Sequence, residues 1–347
     1  MSETQPAEGL TIAVVGATGA VGRDLVATLE RSALPVRELR LVAGRSSAGQ
    51  TVDVGGRSHR VQVLSGEPGE LPAFEGVQLA FLAVPPEVSV PLASALAEQG
   101  IMVVEIGGAL AGRAPMVVPA VGIEALAEAS RLRMASSPSA PTVVVATVVA
   151  ALRDLVPESV SGTVLLSAGA AGRAGAEELS GQVVALFNQR QPPRRVFPTG
   201  LAFDLLPAVG TVPAADDDPL AGWSEAERRV AAEVATLVEL PPPHIALSLA
   251  VAPLFSGVAA SLRVALEADA DLDEIRRRLE AGPTIRLAEP LAGPRRLVGR
   301  AGLYVGRLRK DPAGGAVHLW AMADNLRFAA TGNAIAVATT LWREGML

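Results

Sequence analysis

No cysteine occurs in the 347 residues of the chain. That single absence excludes disulfides, thiolate metal sites, iron–sulfur clusters and any covalent mechanism through sulfur. Aromatic residues make up 3% of the chain, too few for a platform on which bases stack. The three histidines are His59, His244 and His318, and no His/Asp/Glu cluster has the spacing of a metal site. The formal charge of -6 argues against the basic face of a non-specific nucleic-acid binder. The most apolar stretch, Pro141 to Leu152, stops at Arg153 and falls short of the ~20 residues of a membrane span. The opening MSETQPAEGL carries acids where a signal peptide carries basic residues. The expectation is a soluble, cytoplasmic protein with no metal, nucleic-acid or membrane partner.

Half the residues are apolar and 19% are charged, so a substantial core forms and disorder is excluded. At about 150 residues per domain the length points to two domains. Thr11–Val15, Glu38–Val42, Val77–Val84 and Ile101–Ile106 read as buried parallel strands, with helices from Ala20 to near Pro35 and over Glu87–Gln99. This alternation describes a doubly wound α/β sheet of the Rossmann type. Beyond Pro138 helices are expected over Thr142–Leu155, Arg173–Phe187 and Ser224–Val238. Strands are expected over Thr163–Ser167, Ala246–Phe255, Ala260–Glu267, Leu303–Leu308 and Val317–Met322, with Ala246–Phe255 and Ala260–Glu267 as antiparallel neighbours. A last helix spans Leu326 to Trp342, while Ala214–Pro219 and Pro241–Pro243 read as surface loops. The expected division is residues 1–135 with 323–347, and an α+β domain over 136–322.

Gly16-Ala17-Thr18-Gly19-Ala20-Val21-Gly22 lies between the first strand and the first helix. Glycines there let the backbone turn tightly and approach a pyrophosphate resting on the helix N-terminus. The spacing, GxxGxxG, is a relative of the dinucleotide fingerprint; a turn that keeps the shape without a ligand is the competing reading. An NAD-preferring site places an acid at the end of the second strand. Here Leu41–Ser47 contains none, and Arg45 with Ser46 and Ser47 suits a 2′-phosphate, so NADP is favoured over NAD. Arg45 as a solvated loop residue is the alternative.

With these residues in hand, the sequence resembles the aspartate-semialdehyde dehydrogenase family over nearly its whole length. The resemblance rests on Val14–Gly22, Leu34–Gly49, Met116–Pro119, Arg173–Leu179, Leu201–Pro207, Val305–Arg309, and Trp320 with Asp324–Arg327. It implies a Rossmann-type domain that includes Asn325 in the cofactor set, an α+β dimerisation domain, and a last helix returning to the first. Family enzymes reduce an acyl phosphate to an aldehyde with NADPH through a cysteine thioester, with a histidine as acid/base.

Residue by residue, the resemblance places the nucleophile at Ala140, within Ser137-Pro138-Ser139-Ala140-Pro141-Thr142. It places the histidine at Val258, the substrate-carboxylate arginine at Val251, the glutamine at Leu166 and the phosphate-binding arginine at Ala111. The family's Gly-Gly beside the cofactor corresponds to Pro85-Pro86, which removes backbone donors. Sulfur both attacks and leaves an acyl group that accepts hydride, and alanine does neither. Losing one member of such a unit costs on the order of 10⁴–10⁶ in rate. Ser136, Ser137 and Ser139 lie close by, but a serine nucleophile needs a base and no histidine falls at a matching position. His59 reads as exposed, His244 as structural or exposed, and His318 as a satisfied sheet residue.

Glu227 and Arg229 resemble the family's substrate-side acid and base, or form an ordinary charged helix face. Arg113 either replaces the phosphate arginine or is a loop residue. Arg190, Arg194 and Arg195 read as a solvated loop. Several functions fit this pattern. One is a non-catalytic paralogue similar to the Usg-type branch, dimeric, acting by binding a small molecule or protein partner. The others are an NADP(H)-dependent oxidoreductase using direct hydride transfer, the family reaction itself, and a scaffold binding neither cofactor nor substrate.

Overall fold

The computed structural model describes residues 9–64, 71–213, 220–267, 270–289 and 292–347. The acidic N-terminus and the Ala214–Pro219 loop expectation lie outside those residues. The chain divides into two compact units, residues 1–138 with 330–347, and residues 139–329.

The first unit opens with β1 (Leu10–Val15), buried along its whole length, followed by α1 (Ala20–Leu29) and β2 (Val36–Ala43). A short hairpin of β3 (Thr51–Val54) and β4 (Arg57–Arg60) precedes β5 (Gln62–Val63). Then come β6 (Leu79–Leu82), α2 (Pro86–Glu98), β7 (Met102–Ile106), α3 (Leu126–Leu132) and β8 (Met134–Ser137). The six-stranded sheet runs β5-β2-β1-β6-β7-β8, parallel throughout. This is the strand order of a doubly wound dinucleotide fold, whose order reverses between β1 and β6. Strands rich in Val, Ile and Leu on both faces are what such a sheet needs, since helices cover it on either side.

In the second unit α4 (Ala140–Ala151) is buried continuously from Pro141 to Ala150. A helix apolar on every side belongs inside a core, and it packs against strands of the second sheet. β9 (Pro157–Ser167), α5 (Gly172–Phe187) and α6 (Glu225–Val238) follow. Next are β10 (Ile245–Ala252), β11 (Val258–Leu266), α7 (Leu272–Ala281), β12 (Ile285–Leu287), β13 (Leu303–Lys310) and β14 (Ala316–Ala323). The sheet order is β10-β9-β11-β14-β13-β12. β10 and β11 are therefore not neighbours, contrary to the sequence expectation. β9 lies between them, parallel to β10 and antiparallel to β11, a long-range pairing that no local pattern encodes.

The last helix also differs from the sequence reading. A π-turn over Asn325–Ala330 precedes α8 (Thr331–Arg343). Asp324 sets this start, its Oδ1 accepting the amides of Leu326 and Arg327. Residues 323–329 thus pack with the second unit, whereas α8 belongs to the first. There it lies against α1, with Asn333 Nδ2 donating to Val117 O at 3.0 Å and Ser137 Oγ at 2.8 Å. Pro242–His244, expected as plain loop, forms one exposed 3-10 turn. Among the described helices none is long and apolar enough to cross a membrane.

Candidate functional site

In the first unit the chain leaves β1 through the glycine loop, at the carboxyl ends of the parallel strands where such folds bind ligands. Its three glycines are held for different reasons. Gly16 has φ +84°, and a Cβ there would stand 2.2 Å from Ala83 O. A Cβ at Gly22 would stand 2.1 Å from Gly16 O. Both are demanded by the turn and by close packing of helix on strand. Gly19 is different. Its backbone is extended (φ -72°, ψ 171°), and an added Cβ meets only Gly16 O, at 3.3 Å. The fold barely requires glycine at this exposed position, yet a side chain there would fill the cradle in front of α1.

That cradle suits an anion. Gly19 is the N-cap of α1 and supplies no capping side chain, and the first turn carries no acid. Thr18, Ala20 and Val21 complete it, and the first amides of a helix have no partner within it. Thr18 Oγ1 lies 2.9 Å from Ser47 Oγ, tying the loop to the turn after β2. Arg45 and Ser46 are exposed on that 3-10 turn, whereas Ser47 is buried. Arg45 and Ser46 are thus the residues open to a 2′-phosphate. Pro85 and Pro86 are exposed as N-cap and first residue of α2, with Glu87 in its first turn. This side of the crevice offers no amide at either proline. The cradle fits a dinucleotide's pyrophosphate.

Under the next loop Glu105 is buried at the end of β7. Its Oε2 accepts Leu110 N at 3.3 Å and the Ser136 hydroxyl at 3.2 Å. Burial pushes its carboxyl above the ordinary range, against these hydrogen bonds. Ser136 and Ser137 are fully buried and occupied by Glu105 and Asn333. Arg113 and Ala111 are exposed on the same loop.

In the second unit Ala140 opens α4, with Ser139 as its N-cap. Sequence reasoning found no base for a serine here and missed Glu233. This α6 carboxylate is 3% exposed and accepts the hydroxyls of Ser139 (3.2 Å) and Thr142 through Oε2. Its Oε1 has no hydrogen-bond partner, and Arg229 Nε stands 3.9 Å away. An acid on the stripe of Val230 and Val234 was the available signal.

Glu227 is consumed by structure. With Ser224 it forms a capping box, and its Oε1 accepts Leu249 N at 2.9 Å. Arg229 is half-exposed beside Glu233. Asn325, grouped with the cofactor residues from sequence, lies in the second unit, where its Oδ1 accepts Gly257 N at 2.7 Å.

Leu166, Val251 and Val258, the first distant in sequence from the other two, form one buried row. Leu166 pairs with Val251 on one side and with Val258 on the other. Val251 continues into an apolar cluster with Ala168, Leu201 and Leu206. The row holds no proton donor, base or charge on its side chains.

The histidines stand apart from it. His59 is half-buried on β4 rather than exposed, since β4 pairs with β3. His244 is exposed with Nδ1 2.7 Å from Glu158 O. His318 is satisfied in the sheet, Nε2 lying 3.2 Å from Asp311 Oδ2. Among the described residues no three His, Asp or Glu side chains gather as a metal site would require. Arg190, Arg194 and Arg195 are exposed, but their loop is strapped to α5. Glu178 accepts the amides of Arg195, Val196 and Phe197, and Gln182 those of Leu201 and Ala202.

Residues 11–129 match the family model of the semialdehyde dehydrogenase NAD binding domain, and residues 149–328 that of the semialdehyde dehydrogenase dimerisation domain. A USG-1 protein homolog of Azotobacter vinelandii is 34% identical, covering 97% of this chain and 98% of that protein. Aspartate-semialdehyde dehydrogenase 2 of Vibrio cholerae is 29% identical over 96% of this chain and 98% of its own. The crystal structure of aspartate semialdehyde dehydrogenase II from Vibrio cholerae, complexed with ASA, superposes with a TM-score of 0.89. It shows 28% identity and covers 97% of this chain and 99% of that one. A probable aspartate-semialdehyde dehydrogenase from Pseudomonas aeruginosa gives 0.88 at 33% identity, covering 97% and 100%.

Proposed function

The chain belongs to the semialdehyde dehydrogenase family, and we propose that within it this protein is a non-catalytic member that binds NADP(H) and acts by binding. One observation carries the reading: the buried row Leu166–Val251–Val258 is apolar throughout, in a chain without cysteine. These positions, with Ala140, are those at which the family resemblance places the glutamine, arginine, histidine and cysteine. Acyl transfer to a thiolate and protonation by an imidazole both lack an agent there.

The cofactor half retains its means of binding. Gly16, Gly19 and Gly22 admit the pyrophosphate, the amides of Ala20 and Val21 face it, and Arg45 with Ser46 meets the 2′-phosphate. Bound NADP(H) would supply hydride-transfer chemistry. The protein assembles as a homodimer, a reading supported by the dimerisation-domain match. Its ligand or partner is a small molecule or protein, and no metal takes part.

A second reading, direct hydride transfer to a carbonyl or imine, draws on the hydroxyl–carboxylate group of Ser139, Thr142 and Glu233. That group holds a proton without sulfur. Thermal unfolding with NADPH, NADP, NADH and NAD tests cofactor binding, and NADPH consumption with a panel of aldehydes and ketones separates the two readings. A stabilising shift without consumption supports the binding protein, whereas saturable consumption supports the oxidoreductase.

A further inference from the structure

The parallel sheet of the first unit reverses its strand order between β1 and β6. A dinucleotide laid across such a point places one mononucleotide on each side. The two loops flanking this crevice border directly on one another. A Cβ built at Gly16 would stand 2.2 Å from Ala83 O and 3.0 Å from Val84 Cγ1. The turn from β1 into α1 and the turn from β6 into α2 are therefore the two halves of one surface.

The α1 half is built to hold an anion. Its first backbone bond runs from Arg23 N to Gly19 O, at 3.0 Å, which leaves the amides of Ala20 and Val21 open. No acid sits in the first turn. Arg45 and Ser46 stand exposed on the turn after β2, and among the described residues Arg45 has no hydrogen-bond or ion-pair partner.

The α2 half is the opposite. Its N-cap and first helical residue are Pro85 and Pro86, which carry no N–H. The amides of Val88 and Ser89 both turn back to Pro85 O, at 3.0 and 2.9 Å. That leaves the Glu87 amide as the donor of this first turn, on a residue whose own carboxylate is exposed there. Glu87 has no ion-pair partner among the described residues. It already supplies the negative charge that a helix N-terminus favours.

From this asymmetry we propose that the crevice grips its nucleotide by one end, and that its ligand class is the 2′-phosphorylated adenosine diphosphates, with or without a nicotinamide ring. The loop Gly16–Gly22 takes the pyrophosphate, and Arg45 with Ser46 takes the 2′-phosphate. The nicotinamide ring falls to the half where Pro85 and Pro86 give apolar surface without hydrogen bonds, and it adds little affinity. This rests on the NADP(H) reading above and narrows it to the adenosine end of the cofactor. A nucleotide so held is retained without being placed for hydride transfer, as befits a member that acts by binding. Holding the adenosine end also draws NADPH out of its folded form in water, so its emission reports occupancy without a grip on the ring.

Isothermal titration of the intact protein with NADPH, with 2′-phosphoadenosine 5′-diphosphoribose (the cofactor without its ring) and with ADP-ribose tests the proposal. The two 2′-phosphorylated nucleotides should bind within threefold of each other, and ADP-ribose at least tenfold more weakly. Arg45→Gln should weaken both 2′-phosphorylated nucleotides by the same factor. The triple variant Pro85→Ala, Pro86→Ala, Glu87→Gln returns two amides and removes the charge. It should give NADPH an advantage of threefold or more over the ring-free nucleotide. Wild-type protein that binds NADPH more than threefold tighter than the ring-free form overturns the proposal and leaves the NADP(H) reading standing. A triple variant in which NADPH gains no advantage overturns it as well, and so does ADP-ribose binding as tightly as its 2′-phosphorylated form. Binding of none of the three nucleotides removes both readings.

Discussion

Substituting alanine for each of the three loop glycines separates what the fold needs from what a ligand needs. At Gly22 the new Cβ would lie 2.1 Å from Gly16 O and 2.8 Å from Ala17 Cα. Backbone must move, so the cost is that of overpacking, about 1–3 kcal/mol or more. At Gly16 the clash with Ala83 O is compounded by φ +84°, and the loss is at least as large. At Gly19 the single 3.3 Å contact and extended backbone leave the unliganded protein nearly unchanged. The entropy gained from a stiffer unfolded chain, about 0.4–1 kcal/mol, roughly offsets alanine's poorer capping. The ligand effect should instead disappear. NADPH at 100 times its Kd stabilises the wild type by about 2.7 kcal/mol, a shift of roughly 5–10 °C at about 2–4 °C per kcal/mol. Differential scanning fluorimetry with and without NADPH reads both quantities. Gly22→Ala should melt early, and Gly19→Ala should melt at the wild-type temperature without a shift. A Gly19→Ala variant that keeps the full shift would refute the reasoning, because its Cβ occupies the space assigned to the pyrophosphate.

The pH dependence of stability should carry Glu105. Burial raises its folded carboxyl above the ordinary 4.5, so the native state holds a proton that the unfolded chain has released. Stability contributed by this group is therefore present below 4.5 and lost as pH rises through the folded value. Glu105→Gln, which carries no titrating carboxyl, should remove this pH-dependent component, so that its urea midpoint relative to wild type changes between acid and neutral pH. Glu227→Ala should cost about 1–3 kcal/mol by exposing buried amides to no partner; an unchanged midpoint would reinstate a substrate role. Val258→His buries an unpartnered imidazole at a fully buried site and should cost about 1–3 kcal/mol. Combined with Ala140→Cys it should show no NADP reduction with aspartate semialdehyde and phosphate, because Leu166 and Val251 remain apolar.

The first unit was the more legible in the sequence. Val14-Val15 running into Gly16 announces a buried strand and its turn, and the period of Val21, Leu25 and Leu29 fixes the helix that follows. The short β3 and β5 escaped because two to four residues carry too little pattern, and α7, charged on most of its surface, shows its buried face only through Ile275 and Leu279. In the second unit the strands were visible but not their order, since β9's insertion between β10 and β11 depends on contacts about 80 to 100 residues apart. The glycine cradle was readable because glycine spacing is itself the geometry. Glu233 was not, because its interest lies in Ser139 and Thr142, about 90 residues away. The hydrogen bond from Gly257 to the side-chain oxygen of Asn325 was hidden for a related reason, since 68 residues separate the two.

The most direct test of a member that binds cofactor without family chemistry is one fluorescence record of NADPH emission. The protein is titrated first, and acyl phosphate and a panel of carbonyl compounds are then added to the same cuvette. The account predicts that emission changes saturably on titration and then stays constant. Enzyme-dependent decay after any of these additions would contradict it.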